Sequence, residues 1–251
     1  MIVDKISIII ASYNSESVIR VVLDSIVKLN IPNWECIVVD GLSHDNTISI
    51  VEEYANKEPR IRYVSEKDHG IYDAFNKGWQ LATGKWVYYI GSDDELIPSG
   101  IEKLLEVSQD QDCVYGEVLL RNEDGNITYF KSKPSKVLPT AMCCGHQALI
   151  MKRSKIEQLG GFDTSFRISA DYDLLLRAYA HGSSFLHVPD TPVAFFACTT
   201  GVSSKFNMYT IKEQYNIYKK NGVTKFPVFV VSWNFFKRIV RTYIFDPKRK
   251  K

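Results

Sequence analysis

Asp93 and Asp94 stand side by side behind the apolar run Trp86-Val87-Tyr88-Tyr89-Ile90 and the small pair Gly91-Ser92. Adjacent carboxylates repel unless a cation or hydrogen-bond donors compensate. A hard divalent metal joining protein carboxylate to a diphosphate is one solution. An acidic cap for the helix that opens at Pro98, with Glu95 in the same field, is the other. Asp40 ends a second apolar run, in Val38-Val39-Asp40-Gly41. A carboxylate there could accept hydrogen bonds from ribose hydroxyls or a base N–H, or simply shape the turn before Gly41. Asp171 and Asp173 open an apolar helical pattern, Ala170-Asp171-Tyr172-Asp173-Leu174. A helix N-cap accounts well for Asp173, whereas Asp171 could cap or could face a cleft as a general base.

The remaining polar block is Ser65-Glu66-Lys67-Asp68-His69-Gly70-Ile71-Tyr72-Asp73, followed by Asn76-Lys77-Gly78. It suits a binding loop, and equally a solvated loop before a helix. Lys67 and Lys77 could face phosphate or only water. His146 either touches substrate or is a hydrogen-bonded core histidine. No His, Cys and acid spacing matches a zinc site, and no Gly-x-Ser-x-Gly elbow supports acyl transfer. Ser7 to Ser15 contains no Gly-rich phosphate loop, and the chain lacks GxxxxGK[ST]. A dinucleotide dehydrogenase and a P-loop enzyme are therefore poor fits.

The elements that must carry these groups alternate. Ile6–Ala11, Trp34–Val39, Ile61–Val64 and Lys85–Ile90 are short apolar runs of the kind buried strands need. Between them lie helical patterns. The first contains Val18, Val21, Val22, Ser25, Ile26 and Leu29; the second, Thr47 to Lys57, has an Asp45-Asn46 cap and a stripe of Ile48, Val51 and Tyr54; the third is Tyr72 to Ala82. Such alternation predicts an α/β fold with a Rossmann-like, mostly parallel central sheet flanked by helices. Ligands then sit beyond the carboxyl ends of the strands, and the polar clusters do follow the strands. Farther on, the pattern predicts a helix from Pro98 to Val107 and a hairpin of Cys113–Leu120 with Ile127–Phe130 around Asp124-Gly125-Asn126. It also predicts an exposed loop over Lys131–Leu138, a strand over His146–Met151 and a helix over Asp171–Tyr179. Strands at Phe185–Val188 and Val193–Cys198 follow. The expected divisions are 1–97 for nucleotide binding, 98–200 for acceptor binding within the same domain, and 201–251 as a C-terminal helical segment with a basic tail.

With 251 residues, 45% apolar and 24% charged, the chain is globular and fits one large domain or two fused halves. A net charge of +2 makes no case for nucleic acid. Five cysteines, Cys36, Cys113, Cys143, Cys144 and Cys198, follow no paired spacing, which fits reduced thiols in the cytosol. No signal peptide and no run of 18 apolar residues is visible. From Phe226 to Tyr243 apolar residues recur near helical spacing beside Lys237, Arg238 and Arg241, ahead of a terminal basic cluster. That helix would pack on the domain, form a dimer interface, or lie on anionic lipid at the inner face of the membrane.

The motifs in order resemble family 2 glycosyltransferases, inverting enzymes with a GT-A fold. They comprise Ser7-Ile8-Ile9-Ile10-Ala11-Ser12-Tyr13-Asn14, then Asp40-Gly41-Leu42-Ser43-His44-Asp45-Asn46-Thr47, and Glu66 to Gly78. Gly91-Ser92-Asp93-Asp94, His146-Gln147, Gly160-Gly161-Phe162-Asp163 and Ala170 to Leu174 complete the series. The match spans roughly residues 5 to 200 and looks closest to bacterial polysaccharide-assembly members. The resemblance implies that Tyr13 and Asp40 lie near the nucleotide base, with Ala11, Asn14, Asp68, Asn76 and Lys77 on the donor side. It puts Asp93 near ribose or diphosphate, with metal contact left open, Asp94 on Mn²⁺ or Mg²⁺, and Asp171 as catalytic base. It further implies a nucleotide-sugar donor, UDP-linked by preference, and a saccharide or lipid-linked saccharide acceptor. A nucleotidyltransferase and a non-catalytic nucleotide-sugar module are the rival classes.

Overall fold

Ile6–Ser12 forms β1, buried along its whole length, and pairs in parallel with β2 (Trp34–Asp40) on one side and β4 (Trp86–Gly91) on the other. β3 (Ile61–Ser65) extends the parallel set beyond β2. On the far side of β4 the sheet becomes mixed. The order there is β8 (Leu149–Lys152), β6 (Cys113–Arg121), β9 (Phe185–Ala197) and β5 (Glu95–Leu96), with β7 (Ile127–Phe130) paired to β6. The structure is a computed structural model and describes residues 4–121, 125–197, 208–222 and 229–232.

The period-two pleat sorts each strand between two cores. On β4, Val87 and Tyr89 enter one, and Trp86, Tyr88 and Ile90 enter the other. The helices cover both faces. α1 (Ile19–Ile26) and α4 (Pro98–Val107) pack into the second core, and α3 (Ile71–Leu81) and α6 (Ala170–Ala180) into the first. α2 (Thr47–Lys57) lies over the second core, and α5 (Arg153–Leu159) contributes Ile156 to the first. The strand order 3-2-1-4 reverses direction between β1 and β4. The carboxyl ends of those two strands, Ala11 paired with Gly91, thus form a topological switch point where a cleft opens.

Several expectations are corrected. α1 buries Ile19, Val22, Leu23, Ser25 and Ile26 and leaves Val21 exposed, because apolar residues on two adjoining faces give the pattern two possible phases. α2 buries Thr47 and Ile50 beside Val51, while Ile48 and Tyr54 are half-buried. The cap comes from Asp45, whose Oδ1 accepts from Thr47 N at 3.0 Å. His146–Ala148 is a 3₁₀ turn, and the strand begins only at Leu149. Lys131–Leu138 is largely exposed as expected, though it is anchored by Leu138, which is fully buried, and by Lys133 N donating to Cys143 O. β9 runs through both expected short strands, with a register shift against β6 between Tyr115 and Val118.

Asp173 is not a cap. Its fully buried carboxylate accepts from Arg177 Nε at 2.7 Å, from Lys220 and from Asn221. The last two stand on α7 (Met208–Asn221), which lies within the C-terminal segment expected to be helical. The four described cysteines are free and buried, and Cys198 lies outside the described residues. Of the helix expected over Phe226–Tyr243, only 229–232 fall among the described residues, and these are helical. Among the described residues no helix is long and apolar enough to cross a membrane.

Candidate active site

Sheet register assembles the first part of the site. Ser12 pairs with Asp40, and Asp40 with Ser65, so three strand ends bring two hydroxyls to one carboxylate. Asp40 Oδ1 accepts from Ser12 Oγ at 3.1 Å and from Ser43 Oγ; Oδ2 accepts from Ser43 N at 2.9 Å and Ser65 Oγ at 2.8 Å. These four bonds match the capacity of an ionised carboxylate, and the residue is fully buried. Asp40 therefore lies beneath the strand ends and organises the loops above it, rather than projecting its oxygens into open space. Asn14, in the left-handed region at φ 48°, ties the β1 loop to the β2 loop: its N donates to Ser43 Oγ at 2.8 Å, and its Oδ1 accepts from His44 N at 2.9 Å. Tyr13 beside it is 57% exposed, and Ala11 is buried at the end of β1.

The second part is a cleft of about 310 Å³ in which Gly91, Asp93, Asp94, Gln147 and Asp171 share one lining. Gly91 leaves room here: a Cβ on it would meet Asp93 Oδ1 at 2.9 Å and Asp94 Oδ2 at 3.1 Å and push the two carboxylates from these positions. Without that side chain the two acids can fold back over the strand end. Asp94 is buried, and its Oδ2 accepts from Gly91 N at 3.2 Å and Gln147 Nε2 at 3.1 Å. Asp171 begins α6 with its Oδ1 accepting from Tyr172 N at 2.8 Å, and its Oδ2 lies 3.6 Å from His146 Nδ1. Tyr72 also lines the cleft. Burial, then the nearby Asp171 charge, push its phenol well above the usual range, so it remains a donor, bonded to Ile168 O at 2.7 Å.

Other expected donor residues are engaged elsewhere. Asn76 Nδ2 donates to Phe162 O and its Oδ1 accepts from Phe162 N, which clamps α3 to the Gly160-Gly161-Phe162 turn. That turn needs glycine at 161, where φ is +73° and a Cβ would meet Asn76 Oδ1 at 2.4 Å. Lys77 Nζ lies 3.0 Å from Glu66 and donates to Lys67 O, so it braces its own loop. Asp68 Oδ1 accepts from Gly70 N at 3.0 Å, immediately before α3, and its other oxygen lies against Gly41. These three residues shape the rim, and none of them lines the cleft.

The structure also adds residues to which the sequence reading gave no role. Gln147 touches Asp94, and Arg167 lines both this cleft and a neighbouring pocket of about 400 Å³ beside His69 and Asp73. Glu213 of α7 is buried and accepts from the backbone N–H groups of Arg167, Ile168 and Ser169, at 2.6, 3.1 and 3.0 Å. It thereby fixes the chain just ahead of Asp171. An isolated Glu some forty positions downstream carries no local signal of such a task.

For a divalent cation the donor set fits in kind. Among the described residues no group of three or more His, Cys, Asp or Glu side chains gathers, so the protein alone offers no full cage. Two adjacent carboxylates on a cleft wall are the hard oxygen donors that Mg²⁺ or Mn²⁺ takes when substrate phosphates and water complete its shell.

Comparison with known proteins identifies the family and the fold. The Glycosyl transferase family 2 model matches residues 7–171, from β1 to Asp171. The PGL/p-HBAD biosynthesis glycosyltransferase of Mycobacterium tuberculosis (strain ATCC 25177 / H37Ra) is 30% identical over 190 residues, which cover 72% of this chain and 73% of that protein. S. aureus TarS 1-349, solved in complex with UDP-GlcNAc, superposes with a TM-score of 0.72 at 20% identity, covering 98% of this chain and 76% of that one. The mannosyltransferase PcManGT from Pyrobaculum calidifontis, solved with GDP-Man and Mn²⁺, gives a TM-score of 0.68 at 21% identity, covering 86% of this chain and 64% of that one. A strand-end acid pair and a third acid at a helix start, inside a matched span that ends on that third acid, place the chain in glycosyl transferase family 2.

Proposed function

We propose that the protein transfers a sugar, with inversion, from a UDP-linked donor to a hydroxyl of a glycan or lipid-linked saccharide in bacterial surface polysaccharide synthesis. The observation that carries this is the shared lining: Asp93, Asp94 and Asp171 face one cleft at the switch point of the sheet. TarS 1-349, solved with UDP-GlcNAc, supports a UDP-linked donor, and the M. tuberculosis relative, a PGL/p-HBAD biosynthesis glycosyltransferase, supports sugar transfer.

In this reading the nucleotide sits over the β1 and β2 loops that Asp40 organises. The sugar points towards Asp171. Asp171 takes the proton of the acceptor hydroxyl while that oxygen attacks the anomeric carbon from the face opposite the diphosphate; the new C–O bond forms as the bond to the diphosphate breaks. Asp94, with Asp93 beside it, would hold Mn²⁺ or Mg²⁺. The cation, when bound, would offset the charge growing on the leaving diphosphate, a stabilisation largely specific to the transition state. Tyr72 and the Glu213-held backbone keep Asp171 in place against the acceptor, and alignment of the two substrates supplies much of the remaining rate.

The test is transfer from UDP-sugars with and without Mn²⁺, beside donor binding by calorimetry. Asp171→Asn is expected to keep donor affinity and lose transfer by at least about 100-fold. Normal turnover in that variant would refute the assignment of the base.

A further inference from the structure

Directly behind Asp171 lies a second, small cavity of about 20 Å³, bounded by Val87, Leu149, Met151, Phe162 and Leu174 with Tyr89, His146 and Asp171. Its walls are apolar apart from those last three. Two of the three present a problem in physical chemistry. Tyr89 Oη and His146 Nε2 are both buried, and neither has a hydrogen-bond partner among the described residues. Each such group costs roughly 1–3 kcal/mol if left unsatisfied, so two of them on residues that line one small void call for an occupant.

Sheet geometry explains how they meet. Tyr89 projects from β4 into the same core as Val87, two positions ahead of Gly91. His146 opens the turn that carries Gln147 to Asp94. Phe75 packs against both rings, at 4.8 Å from Tyr89 and 5.9 Å from His146, and holds them to the same side. Burial pushes the Tyr89 phenol well above its usual range, so it stays a donor. The void exceeds the ~10–15 Å³ that one water needs, and it offers that water polar partners.

We infer that this cavity is a binding site for one buried water, which joins Tyr89 to His146 and makes the pair positioning residues for Asp171. The donor logic closes. Tyr89 O–H donates to the water, and the water donates to Nε2. Nε2 as an acceptor leaves the ring proton on Nδ1, the nitrogen that faces Asp171 Oδ2. Oδ1 is already held by Tyr172 N. The carboxylate is then oriented from both oxygens, much as a second shell orients a metal ligand. The Nδ1 to Oδ2 separation of 3.6 Å is longer than a good hydrogen bond, so the ring acts on this oxygen here through its N–H dipole. The water site rests on the cavity alone, whereas its effect on the base rests on the proposed transferase reaction.

Two measurements test the inference separately. A high-resolution crystal structure of the full chain is expected to show an ordered water within about 3.2 Å of both Tyr89 Oη and His146 Nε2. A dry cavity would overturn the site whatever the enzyme does. In transfer assays, Tyr89→Phe is expected to lower kcat on the order of 10-fold, with the donor KM and the melting temperature little changed. A merely structural tyrosine would shift the melting temperature instead. Unchanged kcat in Tyr89→Phe would overturn the positioning role, and a wild-type protein inactive with every nucleotide sugar would refute the transferase reading while leaving the water site standing.

Discussion

The acids of this protein are set apart by what surrounds each carboxylate. Asp40 has its capacity filled by two strand-end serines and the Ser43 turn, so it acts on the loops. Asp94 is buried too, but within the cleft lining and with Oδ2 oriented by Gly91 N and Gln147. Asp171 is less enclosed, with its side chain 21% exposed, which suits the base proposed to meet an incoming hydroxyl. Asp94→Ala should leave the fold intact and lower kcat by about 100-fold or more, because charge on the leaving group loses its stabilisation. Steady-state kinetics across a Mn²⁺ series would show it, and a variant with wild-type turnover and metal response would remove Asp94 from the mechanism.

Among the elements, α7 holds the chain that leads into Asp171. Glu213 receives three backbone N–H groups of the strap before α6. Tyr218 donates to or accepts from Tyr172 at 2.8 Å, and Lys220 and Asn221 reach Asp173. The central pair, Asp173 with Arg177, is enclosed at 0% and 12% side-chain exposure, and the guanidinium also donates to Leu159 O and Gly161 O. Removing one partner of such a pair strands the other, at a cost of about 3–5 kcal/mol. Asp173→Ala is therefore expected to destabilise the protein by that amount in urea titration. Lys220→Ala, at a site 40% exposed, should cost no more than about 1 kcal/mol. Equal losses in the two variants would show that the network has been misread.

Across the whole molecule, one buried acid joins the sheet to the base of α3. Glu35 accepts from Ser7 Oγ at 2.6 Å and from Thr83 N at 2.7 Å, with Lys5 and Arg62 each 3.4 Å away. Burial alone would raise its carboxyl; the bonds from Ser7 and Thr83 and the Lys5 charge outweigh that and lower it to about 2. A folded value below the unfolded one stabilises the native state fully above pH ~4.5, and the contribution disappears as pH falls towards about 2. Its size is on the order of 3 kcal/mol. Glu35→Gln should flatten the loss of urea stability between those limits, while an unchanged slope would place the acid sensitivity elsewhere.

Much of this was legible along the chain. The strands β1 to β4, the helix Pro98–Val107 and the acids after strand ends follow from local period and cap chemistry, which involve neighbours only. Local period leaves the phases of α1 and α2 open where apolar residues lie on adjoining faces, and it does not separate the turn His146–Ala148 from the strand that begins at Leu149. The amino-acid order thus determined the run of elements and which carboxylates stand at their ends. Tertiary structure alone decided that Asp40 would be enclosed by serines at the ends of two strands and a third in the turn after it, that Asn76 and Lys77 would turn to structural partners, and that Tyr89 and His146 would share a void behind Asp171. The physical reason is register: contacts between residues far apart in the chain depend on how strands pair and helices dock, which no local pattern encodes.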